Sequence, residues 1–187
     1  AGNYIYLDAT APEVDELAPL VSLVATESGQ GQSTAGVPLY NDTVQIQADL
    51  RDPYFGGSDT GAVSSGLYAL HYKVTRKGQT MSLDAGAVAS NAGTADGQSV
   101  SYAAETVGED SIVFTFDRQA FNYNDVTLTV WAEDWAGNKS GEVSYTFGID
   151  ITVPRITVSY DNNDAQNEKY FKEDRTATVT VYERNFD

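Results

Sequence analysis

The chain has 187 residues, 41% of them hydrophobic, and carries 11 Lys and Arg against 27 Asp and Glu, a formal net charge of −16. This charge argues against nucleic acid and anionic membrane surfaces as partners, because both attract proteins rich in Lys and Arg. The absence of cysteine excludes disulfides and thiolate zinc sites, and a single histidine disfavours a Ser-His-Asp triad. No apolar run approaches the roughly 20 residues of a membrane-spanning helix, so membrane insertion is not expected.

Alternation of apolar and polar residues predicts β-strands along most of the chain. In residues 42–51, Val44, Ile46, Ala48 and Leu50 share one face and polar residues share the other. The predicted strands cover residues 18–25, 42–51, 66–76, 79–84, 98–106, 111–117, 125–134 and 140–149. Short antiparallel strands of this number are typical of an all-β fold, an immunoglobulin-like two-sheet antiparallel β-sandwich. Residues 27–36 and 84–97 are interpreted as long surface loops.

The same alternation predicts which side chains form the core and which face solvent. Gln47 and Thr129 are expected on the outer faces, because a one-residue shift would exchange the two faces of a strand. The predicted core consists of Ile46, Leu70, Tyr72, Phe114, Leu128, Val130, Tyr145 and Phe147. In residues 134–138 we expect a tight turn with positive φ at Gly137 or Asn138, the residues that tolerate this conformation.

Several stretches of the chain repeat at a distance of about one domain length. Residues 4–12 and 145–154 both end in the pattern Asp-x-Thr-x-Pro, residues 19–23 match 154–158, and residues 43–48 match 176–181. Such repetition predicts a tandem array. The chain is accordingly divided into the end of a preceding repeat with its linker (1–14), a sandwich domain (15–150) and the first two strands of an incomplete following repeat (151–187).

Three motifs carry a resemblance to a known family. Ser65-Gly66-Leu67 followed by Tyr72-Lys73-Val74, the segment Val130–Asn138 with its pattern V-x-A-x-D-x-A-G-N, and the junction Asp150–Pro154 resemble bacterial immunoglobulin-like domains. The resemblance covers residues 17–187. It implies a secreted or wall-attached module of a large surface protein, usually a stalk or adhesin segment with neighbouring repeats as partners, and it implies no catalytic residues.

Two strands alone are marginal in water, so residues 155–187 are expected to dock by strand pairing. The candidate partners are an edge of the first domain, the N-terminal strand 3–8, or a second copy of the chain. A second copy is the favoured partner, which predicts a dimer of this fragment through residues 155–187.

Aromatic residues offer a candidate ligand site. Trp131 is expected on the outer face of its strand and Trp135 at the following turn, and together with Tyr54 they can form a platform for stacking a sugar ring. The alternative is that a neighbouring loop covers Trp131, since large exposed apolar patches are uncommon.

Acidic groups raise the question of calcium, which binds oxygen ligands. The candidates are Glu133, Asp134 and Asn138, the junction residues Asp8 and Asp150, and the segment Asp161–Asp164. None fits a 12-residue EF-hand loop, and Asp134 is also suited to accept backbone N–H groups of its own turn. Calcium is the one cofactor that these acidic groups suggest.

Two further motifs receive a structural interpretation. Asp59-Thr60-Gly61 resembles the aspartic-protease motif but has no second copy to share its proton, so a Gly-rich loop is expected there. His71 is expected at the surface, without ligand partners. The sequence thus predicts a non-enzymatic extracellular module, a spacer or adhesion segment that contacts a host or environmental glycan or protein. The alternatives are a carbohydrate-binding module and an accessory domain of a larger secreted glycan-active enzyme.

Overall fold

The structure of the protein is a computed structural model that describes residues 14–53, 64–76, 79–81, 83, 99–101 and 109–185, with the backbone alone at 99–101 and 109–110. These residues form strands, turns and irregular segments, with no helix among them, and hence none that could span a membrane. The strands are β1 (Leu20–Ala25), β2 (Gly31–Gln32), β3 (Pro38–Tyr40), β4 (Val44–Arg51), β5 (Leu67–Arg76), β6 (Gln79–Met81), β7 (Ser99–Ser101), β8 (Glu109–Phe116), β9 (Val126–Asp134), β10 (Val143–Ile149), β11 (Arg155–Tyr160) and β12 (Ala177–Tyr182).

The first ten strands form two sheets that enclose one core. The first sheet has the order β1-β4-β8, and the second has the order β2-β3-β10-β9-β5-β6, with β7 also beside β5. Pairing is antiparallel except between β3 and β10. In an immunoglobulin-like sandwich, strands A, B and E belong to one sheet and C, F and G to the other. β1, β4 and β8 against β5, β9 and β10 follow this arrangement, so the predicted sandwich is confirmed.

Strict alternation of burial along β4 and β9 shows why these residues form strands with one inner face. Seven of the eight predicted core residues are completely buried: Ile46, Leu70, Tyr72, Phe114, Leu128, Val130 and Phe147. Gln47 and Thr129 are only partly buried, as expected for outer faces. Tyr145 is the exception, because it lies half-buried at the rim, where its hydroxyl is 3.1 Å from that of Tyr40.

The interpretation of residues 27–36 as a loop is wrong in part, because this segment contains β2. β3, which follows, was also not predicted. β3 lies parallel to β10, with Leu39 opposite Gly148 and Tyr40 opposite Ile149. A side chain at position 148 would come within 2.7 Å of Leu39 Cδ2 and 2.8 Å of the Asn124 carbonyl, so only glycine allows this approach. The predicted loop 84–97 lies outside the described residues.

β11 and β12 form a separate antiparallel hairpin in residues 155–182, in which Arg155 pairs with Tyr182 and Tyr160 with Ala177. Neither strand joins a described edge of the sandwich, so the first of the three candidate partners, an edge of the first domain, does not pair with the hairpin there. The hairpin instead contacts the sandwich through the side chains of Arg184 and Asn185. The N-terminal strand 3–8 lies outside the described part of the chain, and the dimer through residues 155–187 stays a prediction.

Shortening Val130 to alanine tests the assignment of the inner face. Val130 is completely buried in the middle of β9, so Val130→Ala should lower the free energy of unfolding by about 1–3 kcal/mol through lost contacts and a cavity. Lys73→Ala, on the exposed face of the neighbouring strand β5, should stay within about 0.5 kcal/mol of wild type. Urea denaturation measures both changes, and equal losses would contradict the assignment.

Candidate functional site

The segment after β9 folds into the tight turn that its sequence predicts. Asp134 Oδ1 accepts a hydrogen bond from the Asn138 backbone N–H at 2.8 Å, and Oδ2 accepts one from the Asn138 side-chain amide at 2.8 Å. The Gly137 N–H donates to the Asp134 carbonyl at 3.2 Å, with φ of 90° at Gly137. Positive φ at Gly137 was expected, because glycine has no Cβ to clash in this conformation.

Two further carboxylates lie beside Asp134. Asp15 precedes β1, and Asp52 directly follows β4, so all three groups lie at the same end of the sandwich. Each contributes one oxygen to a cluster in which these atoms are within 4.8 Å of one another. Asp15 is 9% exposed, Asp134 1% and Asp52 0%, which makes this a buried triad of acids, the Asp15–Asp52–Asp134 triad.

The loop that leads into β5 holds two members of the triad in place. Asp52 Oδ2 accepts hydrogen bonds from the Ser64 hydroxyl and the Gly66 N–H, both at 2.7 Å, and Asp15 Oδ2 accepts one from the Ser65 N–H at 2.7 Å. Asp15 Oδ1 accepts a further bond from the Leu17 N–H at 3.1 Å. The other Asp52 oxygen, Oδ1, is buried and has no hydrogen-bond partner among the residues that the structure describes.

The environment shifts the pKa values of Asp52 and Asp15 in opposite directions. Burial raises the pKa of Asp52 above its ordinary value, and the like charges of Asp15 and Asp134 add to this effect, although Ser64 and Gly66 oppose it. Burial also acts to raise the pKa of Asp15, but the hydrogen bonds from Ser65 and Leu17 outweigh it and leave this pKa lowered. Of Asp15 and Asp52, Asp52 is therefore the acid whose charge the site disfavours.

The tryptophans of the predicted ligand site each pair with a residue of β5. Trp131 is half-buried on the outer face of β9 and stacks on His71, with ring centroids 5.4 Å apart and an interplanar angle of 11°. Trp135 is 62% exposed and meets Tyr68 edge-on at 4.6 Å. Tyr68 is not among the ligand-site residues predicted from the sequence. Tyr54 and the motif Asp59–Gly61 lie outside the described residues.

Glu133, one of the predicted calcium ligands, faces away from Asp134. Its Oε2 lies 3.4 Å from His71 Nε2 and 3.4 Å from Lys139 Nζ, on the outer face of the sheet. In the hairpin, Asp161 accepts a hydrogen bond from the Thr176 N–H, and Asn162 accepts one from the Asp164 N–H. Asp8 lies outside the residues that the structure describes. Of the calcium candidates, Asp134 and Asn138 are thus together, while the acids beside them, Asp15 and Asp52, were not predicted.

Asp150 lies at the opposite end of the sandwich and forms an ion pair with the side chain of Arg184. Its Oδ1 is 2.8 Å from Arg184 Nη2, and its Oδ2 accepts a hydrogen bond from the Asn185 amide. Burial acts to raise the pKa of Asp150, but donors from Thr152, Arg184 and Asn185 outweigh it and hold this pKa below the ordinary value of 3.8. Ionised Asp150 therefore stabilises this contact above pH 3.8, and the contribution is lost as the pH falls through the lowered pKa.

Neither a protein-family model nor a curated protein matches the chain. Among solved structures, a DUF4466 family protein from Parabacteroides merdae is similar to 76% of the chain, with 8% sequence identity and a TM-score of 0.35. The chain spans 48%, about half, of that protein's length. At this TM-score the likeness carries no argument about fold or function.

A pair of glycine substitutions tests the turn that carries Asp134. An added Cβ has open space at both Gly137 and Gly141, but only Gly137 has positive φ. Gly137→Ala should therefore lower the free energy of unfolding by about 1–2 kcal/mol, the cost of placing an L-residue in this region. Gly141→Ala is the matched control and should have little effect. Thermal or urea unfolding measures both, and a harmless Gly137→Ala would refute the assigned turn.

Proposed function

We propose that the chain is a non-catalytic, immunoglobulin-like module of a large extracellular bacterial surface protein, acting as a stalk or adhesion segment in a tandem array. The observation that carries this proposal is the contact between the sandwich and the hairpin that follows it. The contact combines an ion pair with several hydrogen bonds, and it joins the end of one sandwich to strands that repeat its beginning.

The register of the hairpin supports the proposal of a second unit. Six-residue strands follow Pro19 and Pro154, and β1 pairs with β4 as β11 pairs with β12: Leu20 lies opposite Arg51, and Arg155 lies opposite Tyr182. An aspartate precedes each proline by four residues. This register makes Tyr182 the equivalent of Arg51. The sequence match of residues 43–48 with 176–181 differs from this alignment by two residues.

An exposed apolar face on the hairpin supports the same interpretation. Ile156 and Val179 are 63% and 60% exposed, although alternation places them on one face with Val158 and Val181. The equivalent residues of β1 and β4 point into the core of the sandwich. In the proposed array, the other strands of the second unit cover this face. Where those strands are absent, we expect a second copy of the chain to cover the apolar face of the hairpin, which gives the predicted dimer.

Arg184 is the centre of the contact with the sandwich. Besides Asp150, its guanidinium donates to the Ile149 carbonyl at 2.8 Å and to the carbonyl and side-chain oxygens of Asn122 at 3.0 and 2.6 Å. Asn185 accepts a further hydrogen bond from the Asn124 side chain at 2.6 Å. A joint with this many directed bonds resists bending, which is the property that a spacer needs.

Charge and composition favour an extracellular array. A net charge of −16 keeps a concentrated or repeated protein soluble and discourages association between neighbouring stalks. The resemblance of the sequence motifs to bacterial immunoglobulin-like domains supports an extracellular location, with neighbouring repeats as partners. The extracellular location is part of the proposal.

Loss of the Arg184 side-chain contacts tests the joint. In Arg184→Gln, the amides of β11 and β12 should tumble faster than those of β4 and β9, whereas in wild type they share one correlation time. Amide ¹⁵N relaxation measures this. Lowering the pH through the lowered pKa of Asp150, which lies below 3.8, should loosen the wild-type joint in the same way, because Asp150 then becomes protonated.

Lys172→Gln is the matched control, because it removes the same charge from an exposed position of the hairpin. It should leave the shared correlation time intact. Sedimentation at the same protein concentrations separates tumbling from self-association. A wild-type hairpin that already tumbles independently of the sandwich would refute a rigid joint.

The exposed ring pair of Trp135 and Tyr68 favours a second candidate function, a carbohydrate-binding module. Tyr68 is 44% exposed and lies beside Trp135, so a sugar ring has an aromatic surface to contact. A glycan array should then identify a ligand, and Trp135→Ala should weaken its binding about tenfold or more. Tyr170→Ala, at another exposed aromatic residue, is the control. If the protein binds no glycan on the array, this function is contradicted.

A further inference from the structure

We propose that the Asp15–Asp52–Asp134 triad binds a calcium ion at the end of the sandwich where the chain enters. This inference does not depend on the proposed function, since it concerns groups inside one sandwich. β9 separates this end from the Asp150 contact, at roughly 26 Å by the rise of a nine-residue strand.

The geometry of the triad fits one ion. Calcium binds oxygens at about 2.3–2.6 Å, so two oxygens on the same ion are at most about 5 Å apart. The three carboxylate oxygens lie within 4.8 Å of one another and therefore meet this limit together. The donor set contains only oxygen, which selects a hard cation over zinc or copper.

The unpartnered oxygen of Asp52 points to a ligand. Asp52 is 0% exposed, and its Oδ2 accepts hydrogen bonds from Ser64 and Gly66. Oδ1 is buried, and no described residue donates a hydrogen bond to it. A buried carboxylate oxygen without a partner is costly, because it has lost its hydration and gained nothing in return. A cation bound at Oδ1 removes this cost.

Comparison with the hairpin shows what the triad lacks. Asp150 lies as far before the first residue of β11 as Asp15 lies before the first residue of β1. Glu183 directly follows β12, as Asp52 directly follows β4. Glu183 likewise has a buried oxygen without a hydrogen-bond partner. There, the next residue is Arg184, whose guanidinium compensates Asp150. In the sandwich the corresponding residue is Pro53, which carries no charge.

The charges around Asp52 also favour a cation. Among the described residues, Asp15 and Asp134 act electrostatically on the Asp52 carboxylate, and both have the same sign as Asp52. Buried like charges at this separation repel strongly unless a counter-charge lies between them. A divalent ion compensates two of the three charges.

Calcium suits this site better than magnesium does. Magnesium keeps several of its waters and requires near-octahedral geometry, whereas calcium accepts irregular arrangements of protein oxygens. Hydrogen bonds from Leu17, Ser65 and Asn138 already orient Asp15 and Asp134. The ion would link the entry segment at Asp15 to β4 in one sheet and β9 in the other.

The experiment compares calcium binding by wild type and Asp52→Asn in the full chain. After treatment with chelator, CaCl₂ in 150 mM NaCl should raise the melting temperature of wild type by roughly 5–10 °C at about 100 times the dissociation constant. Tb³⁺, a luminescent substitute for calcium, should show emission sensitised by Trp135, which adjoins Asp134 in the chain, at a stoichiometry of one per chain.

Asp52→Asn should abolish both responses, and without calcium it should melt at or above the temperature of wild type. The asparagine side chain is uncharged, so this substitution removes the repulsion between residue 52 and the carboxylates of Asp15 and Asp134. Asp161→Asn, in the hairpin, is the matched control and should keep the calcium response. Should Asp52→Asn fail to fold, Asp15→Asn provides the same comparison.

Two results would overturn a cation site at the triad, and a third would overturn the choice of calcium. The first is a wild-type melting temperature that is identical in calcium and in chelator, with no sensitised Tb³⁺ emission, which would leave the triad to be neutralised by protons. The second is calcium binding that persists unchanged in Asp52→Asn, which would place the ion elsewhere. Stabilisation by MgCl₂ equal to that by CaCl₂ would refute the choice of ion.

Discussion

Packing of the two sheets through aromatic rings determines where the residues of the candidate sites lie. Tyr72 of β5 meets Phe114 of β8 with ring centroids 5.2 Å apart, and Phe116 of β8 meets Phe147 of β10 at 4.9 Å. A shift of one residue in any of these strands would turn a buried ring to solvent, so the rings hold the register. The register in turn determines which residues lie at the ends of the strands, and it is there that Asp52 is placed.

How much of the fold could be predicted depends on the length of each strand. β4 and β9 have eight and nine residues, enough for alternation to identify both the strand and its inner face. β2 and β3 have two and three residues, and no periodicity can be read from so few. They are strands because β3 finds β10 as a partner beside Gly148, a contact that only the folded chain provides.

The candidate sites, too, could be predicted from the sequence only in part. The local sequence was sufficient to predict the turn at Asp134, because glycine and asparagine have their own backbone preferences. It could not place Asp15 or Asp52 beside Asp134, since they meet only through the ends of strands in different sheets. The signal was present in part, because Ser65 and Gly66 belong to a recognisable motif at the same end. The partner of Trp135 was missed because a bulge between Leu67 and Ala69 turns Tyr68 outward.

The parallel pairing of β3 with β10 has a mechanical consequence. The chain enters the sandwich beside Asp15 and leaves it at Asp150, at opposite ends of the strands. A tensile force between these points pulls β1 along β4 and β10 along both β9 and β3. The backbone hydrogen bonds are then loaded in shear, all at once, and do not open one after another. A module built in this way can carry load along its axis, and its resistance would depend on how firmly the two ends are held.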